Sequence, residues 1–164
     1  MIKKFNFLFL SMCAVCNSKY SPGTVASFIT SLIFIFFYNL NINILILSIV
    51  VCVIFIYSVY AIDEYKNSFR EVDSKEIVID EFVGQSIPIL TVYSFIEMHN
   101  ITNFILYSFV AFALFRFFDI AKPYPINIID KNMKNGFGVM LDDIIAGVYS
   151  SIVLLLIMTL INNV

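Results

Sequence analysis

Apolar residues are concentrated in five long runs, which short polar segments separate. A helix rises about 1.5 Å per residue and the hydrocarbon core is about 30 Å thick, so a span needs about 20 residues. The second and fifth runs nearly meet that length without an internal charge. The first is short, which leaves it tilted, re-entrant or paired with the apolar stretch near the N-terminus. The runs cover residues 25–38, 44–62, 77–96, 101–121 and 144–161. We predict an all-α, polytopic integral membrane bundle with about four to five membrane-embedded helices, formed by residues 1–164 as a single domain.

The third and fourth runs reach spanning length only by including charged residues. The third contains Asp80 and Glu81 near its start, and the fourth contains Arg116 and Asp119 near its end. An ionisable side chain costs about 2.5–3.5 kcal/mol at the bilayer centre and less near the interface. A chain avoids that cost unless the groups pair, bind an ion or perform chemistry. The sequence therefore directs attention to one depth of the predicted bundle.

Positive charge is confined to alternate connections. All ten Lys and Arg residues precede the first run, lie between the second and third, or lie from the end of the fourth run, at Arg116, to the start of the fifth. Because short loops rich in Lys and Arg stay cytoplasmic, we predict a cytoplasmic N-terminus and an external C-terminus. All acidic residues except Glu97 share the cytoplasmic face. The charged stretch 63–76 is predicted to be a solvated linker or a short surface helix.

Composition excludes several classes of protein. The chain is 60% hydrophobic and 13% charged, whereas a soluble domain has about 25% charged residues. The net charge of −2, with no basic stripe, argues against a nucleic-acid partner. Cys13 and Cys16 form a lone C-x-x-C, and the single histidine, His99, lies on the opposite face, so we expect neither zinc nor disulfides. Lys3 and Lys4 precede a short apolar stretch that lacks a small-residue cleavage site, and we expect it to be retained.

Each of two acidic blocks at the cytoplasmic ends of the runs can be interpreted either as ordinary helix-end residues or as part of a site for an ion or ligand. Asp80 and Glu81 suit a helix N-terminus, where the dipole favours negative charge. Gly84 shares a face with Asp80 and would let a backbone or ligand come close to it. Asp119 lies near a predicted helix C-terminus, where a carboxylate needs a positive partner. That partner is either Arg116 or a bound cation.

Two further blocks contain helix-start signals. Pro22 and Gly23 make a turn before the first run, and Thr24 either caps the helix or joins a phosphate site at its N-terminus. Asp142 either caps the fifth run or acts with Asp143 in an ion site. Ala146 and Gly147, which follow on the same run, form a small-residue surface suited to close helix packing.

Taken together, the blocks predict a site for a metal ion and a phosphate. Carboxylates at one membrane depth are the hard oxygen ligands that suit Mg²⁺. Arg116 and Lys122 supply positive charge for a phosphate. No histidine lies on this face, and motifs for covalent phosphatase mechanisms are absent, which leaves metal-activated water as the nucleophile. The carboxylates are Asp80, Glu81, Asp119, Asp142 and Asp143, with Asp130 as a further candidate.

In order and spacing, the four blocks resemble the phosphatidylglycerophosphatase A family over nearly the whole chain. They are PGT-x-x-S from Pro22 to Ser27, IDE-x-x-G from Ile79 to Gly84, FR-x-x-D-x-x-KP-x-PI from Phe115 to Ile126, and G-x-GVM-x-DD-x-x-AG from Gly136 to Gly147. Two departures are the absence of a glycine-rich lead in residues 16–21 and Tyr124 in place of a tryptophan. The resemblance implies a Mg²⁺-dependent hydrolase of phospholipid biosynthesis. It would convert phosphatidylglycerophosphate to phosphatidylglycerol and phosphate in the bacterial inner membrane, with its active site facing the cytoplasm.

By position, the resemblance also implies roles for individual residues. Asp80, Glu81, Asp119, Asp142 and Asp143 would be metal ligands or the base that activates water. Arg116 and Lys122 would clamp the phosphate, with Thr24 and Ser27 as weaker candidates. Three alternatives stay open: a small ion or proton carrier, a phosphatase for another lipid phosphate such as phosphatidate, and a scaffold whose carboxylates only cap helices.

Overall fold

The computed structural model describes residues 2–13, 15, 21–68, 77–96 and 100–162, and all regular secondary structure in these ranges is helical. The helices are α1 (Ile2–Leu10), α2 (Pro22–Asn39), α3 (Ile44–Ser68), α4 (Ile79–Phe95), α5 (Ile101–Ala121), α6 (Ile126–Asn132) and α7 (Gly136–Asn162). Four of them, α2, α3, α5 and α7, are long and apolar enough to cross a membrane. The predicted all-α polytopic bundle is therefore confirmed.

Helix α4 lies at the centre of the bundle and packs against α2, α3, α5 and α7. It approaches α7 closely because both helices have a glycine at the contact: a Cβ on Gly147 would overlap the carbonyl oxygen of Gly84. The small-residue surface predicted on the fifth run therefore meets α4. The outer faces of the bundle are apolar and exposed, with Ile56 67% and Leu160 69% accessible. Apolar outer faces of this kind suit contact with the hydrocarbon of a membrane.

Two helix boundaries and one additional helix differ from the sequence prediction. Helix α7 begins at Gly136 rather than near residue 144, so Asp142 lies inside the helix and does not cap it. Helix α3 continues to Ser68, so the first part of the charged stretch extends this helix, because no glycine or proline interrupts it. The short helix α6 was not predicted. It begins directly after Pro125. A proline is tolerated at the start of a helix, but it cannot continue the backbone hydrogen bonding of a preceding helix such as α5.

The helices alternate in direction and create two unlike ends. The carboxylate end joins the N-termini of α2, α4 and α7 to the C-termini of α3 and α5, and it carries Asp80, Glu81, Arg116, Asp119, Asp142 and Asp143. The aromatic end, opposite to it, is formed by Tyr38, Tyr93 and Phe104, whose rings pack together. Cys16, Glu97 and His99 lie outside the described residues, as do three of the ten Lys and Arg residues: Lys19, Arg70 and Lys75.

Candidate active site and metal centre

Three carboxylates from two helices meet at the carboxylate end. Asp80 and Glu81 lie in the first turn of α4, and Asp143 lies on α7. One oxygen from each of the three side chains lies within 4.8 Å of the other two. Gly84 permits this meeting, since a Cβ at this position would lie 2.8 Å from the main-chain oxygen of Asp143. The close approach that the sequence predicted for Gly84 is therefore made by α7.

Arg116 connects this cluster to α5. Its Nη1 lies 2.9 Å from Asp119 Oδ2 and 3.9 Å from Glu81 Oε1. The positive partner that Asp119 required is thus present on its own helix. Helix α2 adds a close packing contact, because a Cβ on Gly23 would overlap Glu81 Oε1 and lie 3.3 Å from Arg116 Nη1. The glycine of the PGT block therefore lets the start of α2 pack against this ion pair.

Lys122 holds a second group of carboxylates together. Its Nζ lies 3.0 Å from Asp142 Oδ2 and 3.1 Å from Asp130 Oδ1, so it links α7 to α6. Burial alone would lower the pKa of Lys122, but the charges of Asp142 and Asp130 outweigh that effect and raise this pKa above its ordinary value. Lys122 therefore keeps its positive charge throughout the physiological pH range.

A cavity of about 500 Å³ is lined both by the three-carboxylate cluster and by Lys122 with its carboxylate partners. That volume is in the range of small-molecule sites. Six carboxylates and two lysines are its charged lining residues: Asp80, Glu81, Asp119, Asp130, Asp142, Asp143, Lys122 and Lys134. Such an excess of negative charge in a partly buried site is costly unless cations compensate it.

The donor set fits a hard divalent cation. Magnesium is bound through carboxylate oxygens and usually retains part of its hydration shell, which a cavity of this size accommodates. Glu81 Oε2 is buried and has no hydrogen-bond partner among the described residues. A buried carboxylate oxygen without a donor is an unusual and expensive feature, and a metal ion would satisfy it.

The structure places the remaining candidates outside the cavity lining. Thr24 Oγ1 donates to Ser21 Oγ at 3.0 Å, and Ser27 Oγ donates to the main-chain oxygen of Gly23 at 2.9 Å. Arg116 is half-buried beside Glu81 and Asp119 but does not line the cavity. The assigned roles of these three residues stay predictions.

Sequence reasoning missed two residues of this region. Lys134 lines the cavity, and its Nζ donates to the main-chain oxygen of Asp130. Asp63, in the C-terminal part of α3, accepts a hydrogen bond from the backbone N–H of Gly136. Neither residue has a sequence signal of its own, because both lie in mixed-charge segments whose ordinary interpretation is a solvated surface.

Comparison with known proteins agrees with this arrangement. A family model described as phosphatidylglycerophosphatase A matches residues 8–158. A Bacteroides thetaiotaomicron protein named "Putative phosphatidylinositol-3-phosphatase" is 35% identical over 140 residues, which cover 84% of this chain and 83% of that protein. No solved structure is matched by the chain.

Two relatives are themselves named phosphatidylglycerophosphatase A. The Haemophilus influenzae protein is 44% identical over 81 residues, covering 49% of this chain and 45% of its own length. The Escherichia coli protein is 38% identical over 79 residues, covering 48% of this chain and 41% of its own length. These matches support phosphatidylglycerophosphatase activity for the chain. With a family model matched over 8–158 and the motif carboxylates gathered in one cavity, the chain belongs to the phosphatidylglycerophosphatase A family.

Proposed function

We propose that the chain is a Mg²⁺-dependent phosphatase that hydrolyses phosphatidylglycerophosphate to phosphatidylglycerol and phosphate at the cytoplasmic face of the bacterial inner membrane. The observation that carries this proposal is the group of three carboxylates, Asp80, Glu81 and Asp143, whose oxygens lie within 4.8 Å of one another beside a lysine-bearing cavity. Residues 1–164 would form this catalytic unit as one domain.

The carboxylates divide by their partners into two groups. Asp119 and Asp142 lie within hydrogen-bond distance of a cation, at 2.9 Å from Arg116 and 3.0 Å from Lys122. Glu81 is farther from its nearest cation, with Oε1 3.9 Å from Arg116 Nη1. Asp80, Glu81 and Asp143 would therefore be the principal ligands. When bound, Mg²⁺ would supply Lewis-acid stabilisation of the negative charge on the phosphate and lower the pKa of the attacking water.

Hydrolysis requires groups that move protons and hold the phosphate. The water oxygen forms a bond to phosphorus as the ester bond to the glycerol oxygen breaks. A carboxylate of the cavity accepts a proton from the water, and the departing glycerol oxygen gains one. Lys122 would contact the phosphate, because it lines the cavity and is held in place there by carboxylates of α6 and α7. Its fixed charge would stabilise the phosphate during the reaction.

Arg116 would act through its neighbours. It lies behind Glu81 and Asp119 and not in the cavity lining, so its contacts orient these two carboxylates. A direct contact between Arg116 and the phosphate, which the resemblance implies, would require the side chain to leave this ion pair. Thr24 and Ser27 remain weaker substrate-binding candidates.

Orientation in the membrane follows from the charge distribution. Arg116, Lys122, Lys131 and Lys134 all lie at or beyond the carboxylate end of the described helices. Because short connections rich in Lys and Arg stay in the cytoplasm, this end would face the cytoplasm. A lipid in the inner leaflet would then present its phosphate at the depth of the cavity.

A second candidate function is hydrolysis of a different lipid phosphate. The Bacteroides relative covers most of this chain, and its name specifies an inositol lipid rather than phosphatidylglycerophosphate. The three-carboxylate cluster would serve either substrate, since both carry a phosphate monoester. Phosphatidate is a third substrate of the same chemical class.

Phosphate release by the detergent-purified full chain tests the proposal. Phosphatidylglycerophosphate, phosphatidylinositol 3-phosphate, phosphatidate and a soluble phosphate ester are compared with Mg²⁺ and with EDTA. We expect Mg²⁺-dependent release that is fastest for phosphatidylglycerophosphate. Faster release from the inositol lipid would favour the second candidate. Undiminished release in EDTA would rule out the proposed metal dependence.

A further inference from the structure

The start of α7 is attached to a helix that is distant in the sequence. The backbone N–H of Gly136 donates to Oδ1 of Asp63, which lies near the C-terminal end of α3, 73 residues earlier in the chain. The contact between the helices is close, because a Cβ on Gly136 would overlap the carbonyl oxygen of Val59 and lie 3.1 Å from the Asp63 carboxylate carbon and Oδ1. A side chain at position 136 would therefore force the two helices apart.

A second acceptor serves the same helix end but belongs to the adjacent loop. Asn135 Oδ1 accepts a hydrogen bond from the Gly138 N–H at 2.9 Å. This is an ordinary local cap, which satisfies one of the N–H groups that a helix start leaves without an intrahelical partner. Asn135 and Asp63 thus satisfy two neighbouring N–H groups of one helix. Of these two acceptors, only Asp63 lies on α3, so only its hydrogen bond links the two helices.

The consequence concerns the carboxylates of α7. Asp142 and Asp143 lie about two turns beyond Gly136 on the same rigid helix, so the position of its first turn determines where they lie opposite α4. On α4, the Gly84–Asp143 contact leaves no room for α7 to move closer. Asp63 and Gly84 therefore constrain α7 at two points along its length.

We infer that Asp63 is a positioning residue for the catalytic site: its hydrogen bond to Gly136 fixes the first turn of α7 against α3 and thereby places Asp142 and Asp143 opposite Asp80 and Glu81. The inference rests on the proposed function for its consequence in catalysis. A purely local role for Asp63 would be that of a second helix cap, equivalent to Asn135.

The matched variants Asp63→Ala and Asn135→Ala separate these two roles. Each removes one acceptor from the start of α7, but only the first also removes a hydrogen bond between α7 and α3. We expect Asp63→Ala to lower the rate of phosphate release by about 10- to 100-fold, the range seen when a residue supporting a metal ligand is removed. It should also raise the Mg²⁺ concentration needed for half-maximal activity. Asn135→Ala should remain close to the unaltered chain in both measurements.

A conservative variant and a second variant complete the experiment. Asp63→Asn keeps an oxygen acceptor and should restore most of the activity. Gly136→Ala leaves Asp63 in place but forces α7 away from Val59, so it should lower phosphate release and raise the Mg²⁺ requirement as Asp63→Ala does. If Asp63→Ala fails to fold, Gly136→Ala provides the test instead. Equal losses in Asp63→Ala and Asn135→Ala would overturn the inference, as would an unaffected Gly136→Ala.

Hydrogen exchange gives a readout that does not depend on catalysis. In the full chain in detergent, Asp63→Ala should accelerate exchange of the amides at 140–147, whereas Asn135→Ala should affect only the first turn of α7. If the unaltered chain released no phosphate from any lipid, the proposed function would fail, and this exchange comparison would still decide the role of Asp63. Identical exchange in the two variants would contradict it.

Discussion

The same helices form both ends of the bundle, but the two ends satisfy their polar groups in different ways. At the aromatic end, Tyr93 donates its hydroxyl hydrogen to the main-chain oxygen of Ile42, and Tyr38 stacks on Phe104 with ring centroids 3.9 Å apart. At the carboxylate end, Glu81 Oε2 is buried without a hydrogen-bond partner among the described residues. Polar groups that all have hydrogen-bond partners stabilise a fold, whereas a buried polar atom without a partner is a candidate contact for a ligand.

The carboxylate end also carries an excess of negative charge. The cavity at the carboxylate end has six acidic side chains and two lysines in its lining, and one further cation, Arg116, lies behind it. Each uncompensated carboxylate in such a site opposes folding. A cation that binds only the folded chain would offset this cost and increase stability by mass action. The comparison therefore predicts that substitutions at the carboxylate end affect activity, whereas those at the aromatic end affect only stability.

The largest expected effect is that of Asp143→Asn. Removing the charge of a proposed ligand should lower phosphate release by more than about 100-fold, beyond the 10- to 100-fold typical for groups that only support a ligand. Folding should be intact, because the substitution keeps the size of the side chain and relieves repulsion among the carboxylates. Activity and helicity are measured on the same purified sample. Full activity would contradict the proposal that Asp143 is a ligand. Asp80→Asn and Asp119→Asn provide the same comparison on α4 and α5.

Gly84→Ala should have a smaller effect that combines both properties. The new Cβ would lie 2.7 Å from Phe115 Cε2 and 2.8 Å from the main-chain oxygen of Asp143, so α4 and α7 must separate. Overpacking of this kind costs about 1–3 kcal/mol and should also displace Asp143 from Asp80, which reduces activity. Ser94→Ala, at an exposed position near the other end of α4, is the matched control. Equal behaviour of the two variants in activity and thermal denaturation would show that the contact is not required.

Tyr38→Leu should reduce stability without reducing activity. The substitution removes the ring that stacks on Phe104, and a buried aromatic pair contributes about 0.5–1.5 kcal/mol beyond its burial. Its distance from the carboxylate end should leave the rate per folded molecule unchanged. Denaturation in detergent and phosphate release measure the two properties separately. A selective loss of activity would show that the ends are coupled.

Tyr93→Phe should give the smallest effect. It removes the hydroxyl that donates to Ile42 and keeps the ring, so the stability loss should be about 1 kcal/mol. Activity and its Mg²⁺ dependence should match those of the unaltered chain. A changed Mg²⁺ requirement in this variant would contradict the assignment of metal binding to the opposite end.

Much of this fold is predictable from sequence because the membrane imposes a simple rule. Long apolar runs must become helices, since the bilayer offers no other partner for their backbone groups. The rule locates α5 and the start of α3 accurately. It places the start of α7 too late because it counts apolar residues, whereas Asn135 and Asp63 start the helix at Gly136.

The candidate site was predictable to a different extent for each residue. Asp80, Glu81 and Asp143 were found because acidic residues at the ends of apolar runs are costly and therefore conspicuous. Their division into a three-carboxylate cluster and two ion-paired groups depends on which helices touch, and spacing along the chain does not reveal that. Lys134 and Asp63 lie among other charged residues, so only the folded structure identifies their contacts.

A divalent cation bound among Asp80, Glu81 and Asp143 would be visible directly in a crystal structure of the chain grown with Mn²⁺. Manganese prefers the same oxygen ligands as magnesium and has a strong anomalous signal. We predict one anomalous peak or more within the cavity, in contact with carboxylates from both α4 and α7. An empty cavity under Mn²⁺ concentrations that support phosphate release, or a peak bound only elsewhere on the protein, would contradict the account.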